Sequence, residues 1–360
     1  MNLTLNDKKI LYVLNVDSSL SIVAIEKITK IPRNVITNRL KKLEISKIIK
    51  AYKLNINYKL LGFEEFEVYL RLMGNDNKKK KELIQKLTEH KNISWIGTCF
   101  GNYDLKLSLY AKNNQELYSI LLDALNGYKE YIKAQEIVSV TRKYKMDKSL
   151  FLSTILKEQI NFDINKSINS KITIEQSNKQ HDKEKQNNKQ NKAQKIENKL
   201  KLNYKTEQLD SVDKTLILEL SKNPRSKLIT LANATNLSIQ GVKNRITSLQ
   251  KRQIIFGSSA LINGQILNNI WATCLFKLTL DESQEILLEK YILTMSGTTS
   301  AVRLIGRWDL GITFFSISID DLQTKINDFK AAFKDQIKDY DSLIILENFK
   351  YPKLPQCVLE

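Results

Sequence analysis

The sequence predicts an α+β chain made of two copies of one unit, each a set of three short helices followed by a βαββαβ layer. Three observations carry this. The apolar pattern repeats at a fixed shift, the repeats flank a polar basic stretch, and the periodicity inside each repeat changes from helical to alternating. Moved by 206 positions, Asp7-Lys8 lands on Asp213-Lys214, Leu14 on Leu220, Ile22 on Leu228 and Ile25 on Leu231. Asn38-Arg39 lands on Asn244-Arg245, Leu43 on Leu249 and Ile48-Ile49 on Ile254-Ile255. After one deletion the shift becomes 205, and Gly101-Asn102-Tyr103-Asp104 lands on Gly306-Arg307-Trp308-Asp309. Few identities hold, but the register runs through the whole unit, so the chain reads as a duplication.

The helical part occupies 1–56 in the first copy and 207–262 in the second. Ile10, Leu11 and Leu14 keep a 3.6-residue period, as do Leu216, Ile217 and Leu220. A second helix follows Ser21, an N-cap residue type, with Ile22, Ile25 and Ile28 inward; its counterpart carries Leu228, Leu231 and Ala234. A tight break follows at Lys30-Ile31-Pro32 and at Asn236-Leu237-Ser238. The third helix sets Ile36, Leu40 and Leu43 on one face, and Val242, Ile246 and Leu249 in the second copy. Its other face carries Arg33, Asn34, Thr37, Asn38 and Lys41, or Gln240, Lys243, Asn244, Thr247 and Lys251. These side chains reach base edges and phosphates, and the major groove admits one helix. A solvated helix face would look the same in isolation. Its place as third helix after a tight turn, twice in one chain, selects the recognition reading. Arg39 and Arg245 are then expected on phosphates. The β-prone runs from Ile48 and from Ile254 read as wing strands, with Lys50, Lys53 and Arg252 toward the DNA backbone. Each helical part is thus a winged helix-turn-helix.

The second part occupies 63–147 and 268–352. Strand signals at Phe66–Leu72, Ile93–Phe100, Leu105–Ala111 and Ile137–Arg142 alternate with helices at Lys81–His90 and Gln115–Leu125. The second copy repeats the order with Trp271–Leu278, Glu282–Leu293, Ser300–Ile305, Leu310–Ser316, Asp321–Phe333 and Ser342–Glu347. This βαββαβ order is ferredoxin-like. Helices cover one sheet face and leave the other apolar, in need of a partner. Between the copies, 165–206 is Asn, Lys, Gln and Glu with few apolar residues and reads as a flexible basic linker.

Composition narrows the function. The 360 residues carry a formal charge of +18 and 42% apolar residues. A polyanionic partner fits that charge, although AT-rich coding also enriches lysine and asparagine. No stretch approaches the roughly 20 apolar residues of a membrane span, and the N-terminus lacks a signal peptide's apolar core, so a cytoplasmic protein with no membrane partner is expected. Cys99, Cys274 and Cys357 are too sparse for a disulfide framework or a zinc site. No cofactor or metal is expected. His90 and His181 are the only histidines, which leaves little acid–base chemistry.

Taken in order, these pieces resemble the feast/famine regulators, the Lrp/AsnC family. The resemblance covers about residues 3–147 and 209–352. It rests on Leu209-Asp210 with Asp213, Asn223-Pro224-Arg225, Leu237-Ser238, Val242 with Arg245-Ile246 and Leu249, and the Gly-x-aromatic-Asp hairpins. It implies a winged helix-turn-helix joined to a ferredoxin-like sensing domain of the RAM type, double-stranded DNA as partner, and pairing of sensing domains as an intramolecular pseudo-dimer or a homo-oligomer. It also implies a small effector such as an amino acid at the hairpins, hence at Gly101, Tyr103, Asp104, Gly306, Trp308 and Asp309. Turn chemistry alone accounts for the same residue types. The chain departs from the family in having Lys47 and Gln253 where glycine is usual, incomplete caps at Ser21 and Lys227, and two fused units. Two further readings are a sirohaem-decarboxylase-like enzyme, which the scarcity of histidine disfavours, and a non-specific chromatin-like DNA binder. The two recognition faces differ, so an asymmetric operator is expected.

Overall fold

The computed structural model describes residues 3–74, 76–144, 206–263, 269–295, 297–350 and 354–358. The expected linker lies, up to residue 205, outside them. In the first repeat α1 (Leu5–Val16), α2 (Ile22–Thr29) and α3 (Arg33–Ile45) lead into β1 (Ile49–Ile56). There follow β2 (Glu64–Leu72), α4 (Asn77–Glu89), β3 (Ile93–Phe100), β4 (Leu105–Ala111), α5 (Asn114–Ala124) and β5 (Ile132–Lys143). The second repeat gives α6 (Ser211–Lys222), α7 (Leu228–Thr235), α8 (Ile239–Lys251) and β6 (Ile255–Ile262). Then come β7 (Ile270–Leu278), α9 (Glu282–Thr294), β8 (Thr298–Ile305), β9 (Leu310–Ser316), α10 (Ile319–Ala332) and β10 (Ile337–Lys350).

Each helical head closes over its own apolar stripe. Ile10, Leu14, Ile25, Ile36, Leu40 and Leu43 form the first core; Leu216, Leu220, Leu231, Val242 and Leu249 form the second. The turns before the third helices pass through left-handed residues, Lys30 at φ 59° and Asn236 at φ 55°. Asparagine tolerates that conformation better than lysine. Lys47 and Gln253 also take left-handed φ, 57° and 58°. The chain therefore makes the turn a glycine would make, with side chains that pay a steric penalty there.

The wing strands differ from expectation in one respect. β1 does not fold back within its own head but pairs antiparallel with β6, placing Tyr52 opposite Ala260, Leu54 opposite Ser258 and Ile56 opposite Ile255. Each head supplies one strand, and a lone strand leaves its backbone groups unpaired. The other repeat supplies the partner. Leu54 and Ile56 enter the second head's core, and Ala260 enters the first's. Across this join Ser18 Oγ bonds Ser258 Oγ at 2.8 Å, and Arg225 donates to the Ser18 carbonyl and lies over the Tyr52 ring.

The two βαββαβ layers also find each other within the chain. Their strands close one barrel in the order β10-β3-β4-β2-β5-β8-β9-β7. Two seams join the repeats, β5 with β8 and β10 with β3. The helix-covered faces hold separate cores, one around Val68, Leu87, Leu107 and Ile120 and one around Phe276, Leu288, Ile312 and Phe329. The faces expected to need a partner form the barrel interior, where Tyr69, Cys99, Tyr103 and Val138 meet Leu275, Val302, Leu304, Trp308 and Leu343.

Candidate nucleic-acid interface

The third helices present two different surfaces. On α3, Arg33, Asn34, Thr37, Asn38 and Lys41 are exposed opposite the buried Ile36, Leu40 and Leu43. Arg33 Nε bonds Glu26 Oε2 at 2.5 Å, which holds its guanidinium beside α2 while leaving it open to solvent. On α8, Gln240, Lys243, Asn244 and Lys251 are exposed and Thr247 is half-buried. Gln240 Nε2 donates to Asn244 Oδ1 at 3.0 Å, a neighbour pair one helical turn apart. Ser238 caps α8 by accepting the Gly241 N–H, whereas Pro32 precedes α3 without a side-chain cap. Pro32 lacks a donor of its own and presets φ for a helix start.

Three arginines expected on DNA phosphates carry ion pairs inside the heads. Arg39 Nη1 pairs with Asp7 Oδ2 at 3.2 Å, and Asp7 in turn accepts from Thr4 in a capping box at the start of α1. Arg245 Nη1 reaches Asp210 Oδ2 at 2.6 Å and Asp213 Oδ1 at 3.3 Å. Arg252 reaches Asp213 Oδ2 at 3.0 Å and Glu207 Oε2 at 2.9 Å. Asp7 and Asp213 are buried. A buried carboxylate needs a cation or donors, so these arginines tie the third helix to the first. Through these pairs they position the third helix, and each guanidinium keeps part of its surface in solvent. The Asp210 carboxyl is held below the usual carboxylate range, first by the Asp213 backbone N–H and then by Arg245. Sequence reading used Asp7 and Asp213 to set the repeat register but did not pair them with the arginines.

The hairpin residues are used by the barrel itself. Gly101 has φ +143°, and a Cβ there would stand 2.8 Å from the Ser342 carbonyl of β10. Gly306 has φ +144°, with the Ile137 carbonyl of β5 at 3.0 Å. Each glycine thus lets its hairpin press against the last strand of the other repeat. Asp104 Oδ2 accepts the Leu72 N–H at 2.8 Å, and Asp309 Oδ2 accepts the Leu278 N–H at 2.8 Å, closing the ends of β2 and β7. Tyr103 and Trp308 are buried inside the barrel. The two glycines thus lie at different seams, while Tyr103 and Trp308 share one cluster in the barrel interior.

The barrel interior also holds charges that sequence reading passed over. Lys106 Nζ and Glu67 Oε1 are 2.9 Å apart, both side chains almost fully buried. Tyr69 donates to Glu67 Oε2 at 2.5 Å, and Lys106 lies over the Tyr69 and Trp95 rings. Burial, then Glu67, pushes the Tyr69 phenol well above its ordinary value. In the second repeat the matching positions are Thr273, Gly311 and Leu275, and Thr273 shares a 3.1 Å hydroxyl contact with Thr313. The signal was present, since Glu65 and Glu67 stand at alternate positions of β2, on the face that also carries Tyr69.

His90 sits outside the barrel at the end of α4. Its Nε2 is 3.2 Å from Asp123 Oδ2, and its Nδ1 accepts the Asn92 N–H. Burial lowers its pKa. His181 lies outside the described residues. Among the described residues no group of His, Cys, Asp and Glu could hold a metal ion, and no helix is long and apolar enough to cross a membrane.

No family model matches the chain. An uncharacterised HTH-type transcriptional regulator of Pyrococcus furiosus is 30% identical over 146 residues, which is 39% of this chain and 94% of that relative. The HTH-type transcriptional regulator LrpA of Mycobacterium tuberculosis is 33% identical over 78 residues, 22% of this chain and 52% of its own length. Among solved structures, the sirohaem decarboxylase NirDL covers 97% of this chain and 93% of its own at a TM-score of 0.57 and 12% identity, a likeness of fold alone. The first relative is matched over nearly its whole length by a stretch the size of one repeat. The chain belongs to the Lrp/AsnC family of helix-turn-helix transcriptional regulators, with two of the family's units in one polypeptide.

Proposed function

We propose that the chain, acting in the cytoplasm, reads an asymmetric double-stranded DNA site through α3 and α8, two unlike recognition helices on one intramolecular pseudo-dimer. The observation that supports this is the pair of exposed faces. Arg33, Asn34, Thr37, Asn38 and Lys41 on one head stand where the other has different residues at all but the asparagine. Asn38 and Asn244 are matched positions and have the side-chain type that pairs with adenine N6 and N7. Their neighbours differ, so the flanking bases read should differ. Lys41, Lys243 and Lys251 supply phosphate contacts. Selection of binding sites from random duplexes tests this. Two unlike half-sites are expected, and a perfect palindrome as the preferred site would contradict it. Survival of the complex in excess competitor DNA at physiological salt separates it from chromatin-like packing.

An amino-acid effector belongs to the same proposal, at the hairpins of Gly101, Tyr103, Asp104, Gly306, Trp308 and Asp309. The place of Gly101 and Gly306 at the two seams supports it, because a ligand there would press on both repeats. A panel of free amino acids in a thermal-shift assay tests it; no shift with any of them removes this part. The chain is read as a regulator and not as an enzyme. Its fold likeness to a sirohaem decarboxylase brings no histidine into the barrel from the described residues, His90 being engaged outside. Titration with sirohaem checks this: an unchanged haem spectrum is expected, and a bound-haem spectrum would reopen the enzyme reading.

A further inference from the structure

We propose that the two barrel seams carry a charge code that makes unlike repeats pair and like repeats refuse each other. The partner each sensing face fits is the other repeat, not a second copy of itself and not a single-unit relative. The inference does not depend on what the recognition helices bind.

The seams are images of one another under the repeat shift. Val140 faces Leu304 and Arg142 faces Arg303 at the first; Ile345 faces Cys99 and Glu347 faces Thr98 at the second. At the first seam two arginines lie opposite each other, which alone would repel. Both are answered from α9 of the second repeat. Arg142 Nη2 bonds Glu289 Oε1 at 2.5 Å, and Arg303 pairs with Glu285. The set holds two cations and two anions. Under the shift of 205, the corresponding set at the second seam is Glu347, Thr98, Lys80 and Ile84, one anion and one cation. The first set is therefore neutral; at the second, Lys80 also lies 4.0 Å from Asp104 of its own repeat, so Glu347 has only a share of that cation.

Like-with-like pairing separates Arg142 from the glutamates that answer it and brings Glu347 to them instead. Two first repeats would bring Arg142 to Thr98, Lys80 and Ile84, a second cation and no acid but Asp104, which Lys80 already holds. Two second repeats would bring Glu347 to Arg303, Glu285 and Glu289, three anions against one cation. Packing points the same way. Val140 on Cys99 would underfill a position that Ile345 on Leu304 would overfill, and the native pairing matches the larger side chain to the smaller. Attraction toward one partner combined with repulsion of the others is how selective interfaces are built.

The test starts from the intact chain, with a protease site inserted between residues 165 and 205, folded and then cut. The halves are unfolded, refolded together, and weighed by native mass spectrometry. Chance gives unlike pairs half of the total. The proposal expects unlike pairs to exceed like pairs by at least about tenfold over chance at low salt, with the preference shrinking toward chance at 1 M salt as screening grows. Chance ratios at low salt would overturn it. A second readout needs no refolding of halves. In the intact chain Arg142→Glu should lower the melting temperature at low salt, and Glu289→Arg added to it should restore part of the loss. A loss that Glu289→Arg does not restore, or no loss, would overturn it.

Discussion

The two heads keep the same anchor and change what they display. In both, a buried aspartate at the start of the first helix grips an arginine of the third, Asp7 with Arg39 and Asp213 with Arg245. The second head adds Arg252 and Glu207 to this grip. On the outward face only the asparagine of Asn38 and Asn244 persists. Duplication has therefore preserved the device that positions the reading helix and released the residues that read. The barrel repeats the lesson. Both hairpins keep glycine and aspartate in the same structural roles, while the interior has diverged from Glu67, Tyr69 and Lys106 to Thr273, Leu275 and Gly311.

The comparison can be broken at the anchors first. Asp213→Ala strands Arg245 and Arg252 and should destabilise by about 2–3 kcal/mol, since removing one partner of a buried pair is costly and here the arginines keep some solvent. Asp7→Ala strands only Arg39 and should cost about 1–2 kcal/mol. Urea melts of the two variants check the order; equal losses would show that the second head's extra ties contribute nothing. At the reading faces, Asn38→Ala and Asn244→Ala should each weaken binding by about 1–2 kcal/mol at one half-site and leave the other unchanged. Binding assays on duplexes altered one half at a time measure this.

Backbone strain gives a smaller effect of opposite sign. Lys47→Gly and Gln253→Gly relieve left-handed φ and should each stabilise by about 0.5–1 kcal/mol, read from the same melts. The smallest difference is in acid. Asp210 caps α6 with a lowered folded pKa, so its contribution is present above the unfolded value of about 3.9 and is lost as pH falls through the folded one. The first head is capped by the Thr4 hydroxyl, which does not titrate. Asp210→Asn should therefore make acid unfolding below about pH 4 shallower; an unchanged acid profile would show that the cap does not couple to stability.

Much of this architecture could be read from the amino acids because it is local. β3 and β4 run over the residues that alternation marks out, Ile93–Phe100 and Leu105–Ala111, and the third helices follow their turn signals. The unread features were those whose meaning depends on a distant partner. A β-prone run after a helix is a strand whichever strand it joins, so nothing near Ile49 indicated β6 two hundred residues on. An arginine on the solvent side of a helix has the same periodicity whether it meets a phosphate or a carboxylate. The pairing of Arg39 with Asp7 and of Arg245 with Asp213 is visible only in the fold. Gly101 and Gly306 read as turn residues from their neighbours, while the close approach that requires glycine comes from the opposite repeat.

Two unlike reading heads in one chain should lie on DNA in one orientation, each head on its own half-site. Cys99, Cys274 and Cys357 are buried, so single surface cysteines can be labelled selectively. Lys42→Cys and Ser248→Cys form a matched exposed pair beside the two reading faces, and each can carry an iron chelate that cleaves nearby DNA. On a selected site, cuts are expected in one half from the first variant and in the other half from the second. Cuts in both halves from each variant would contradict it.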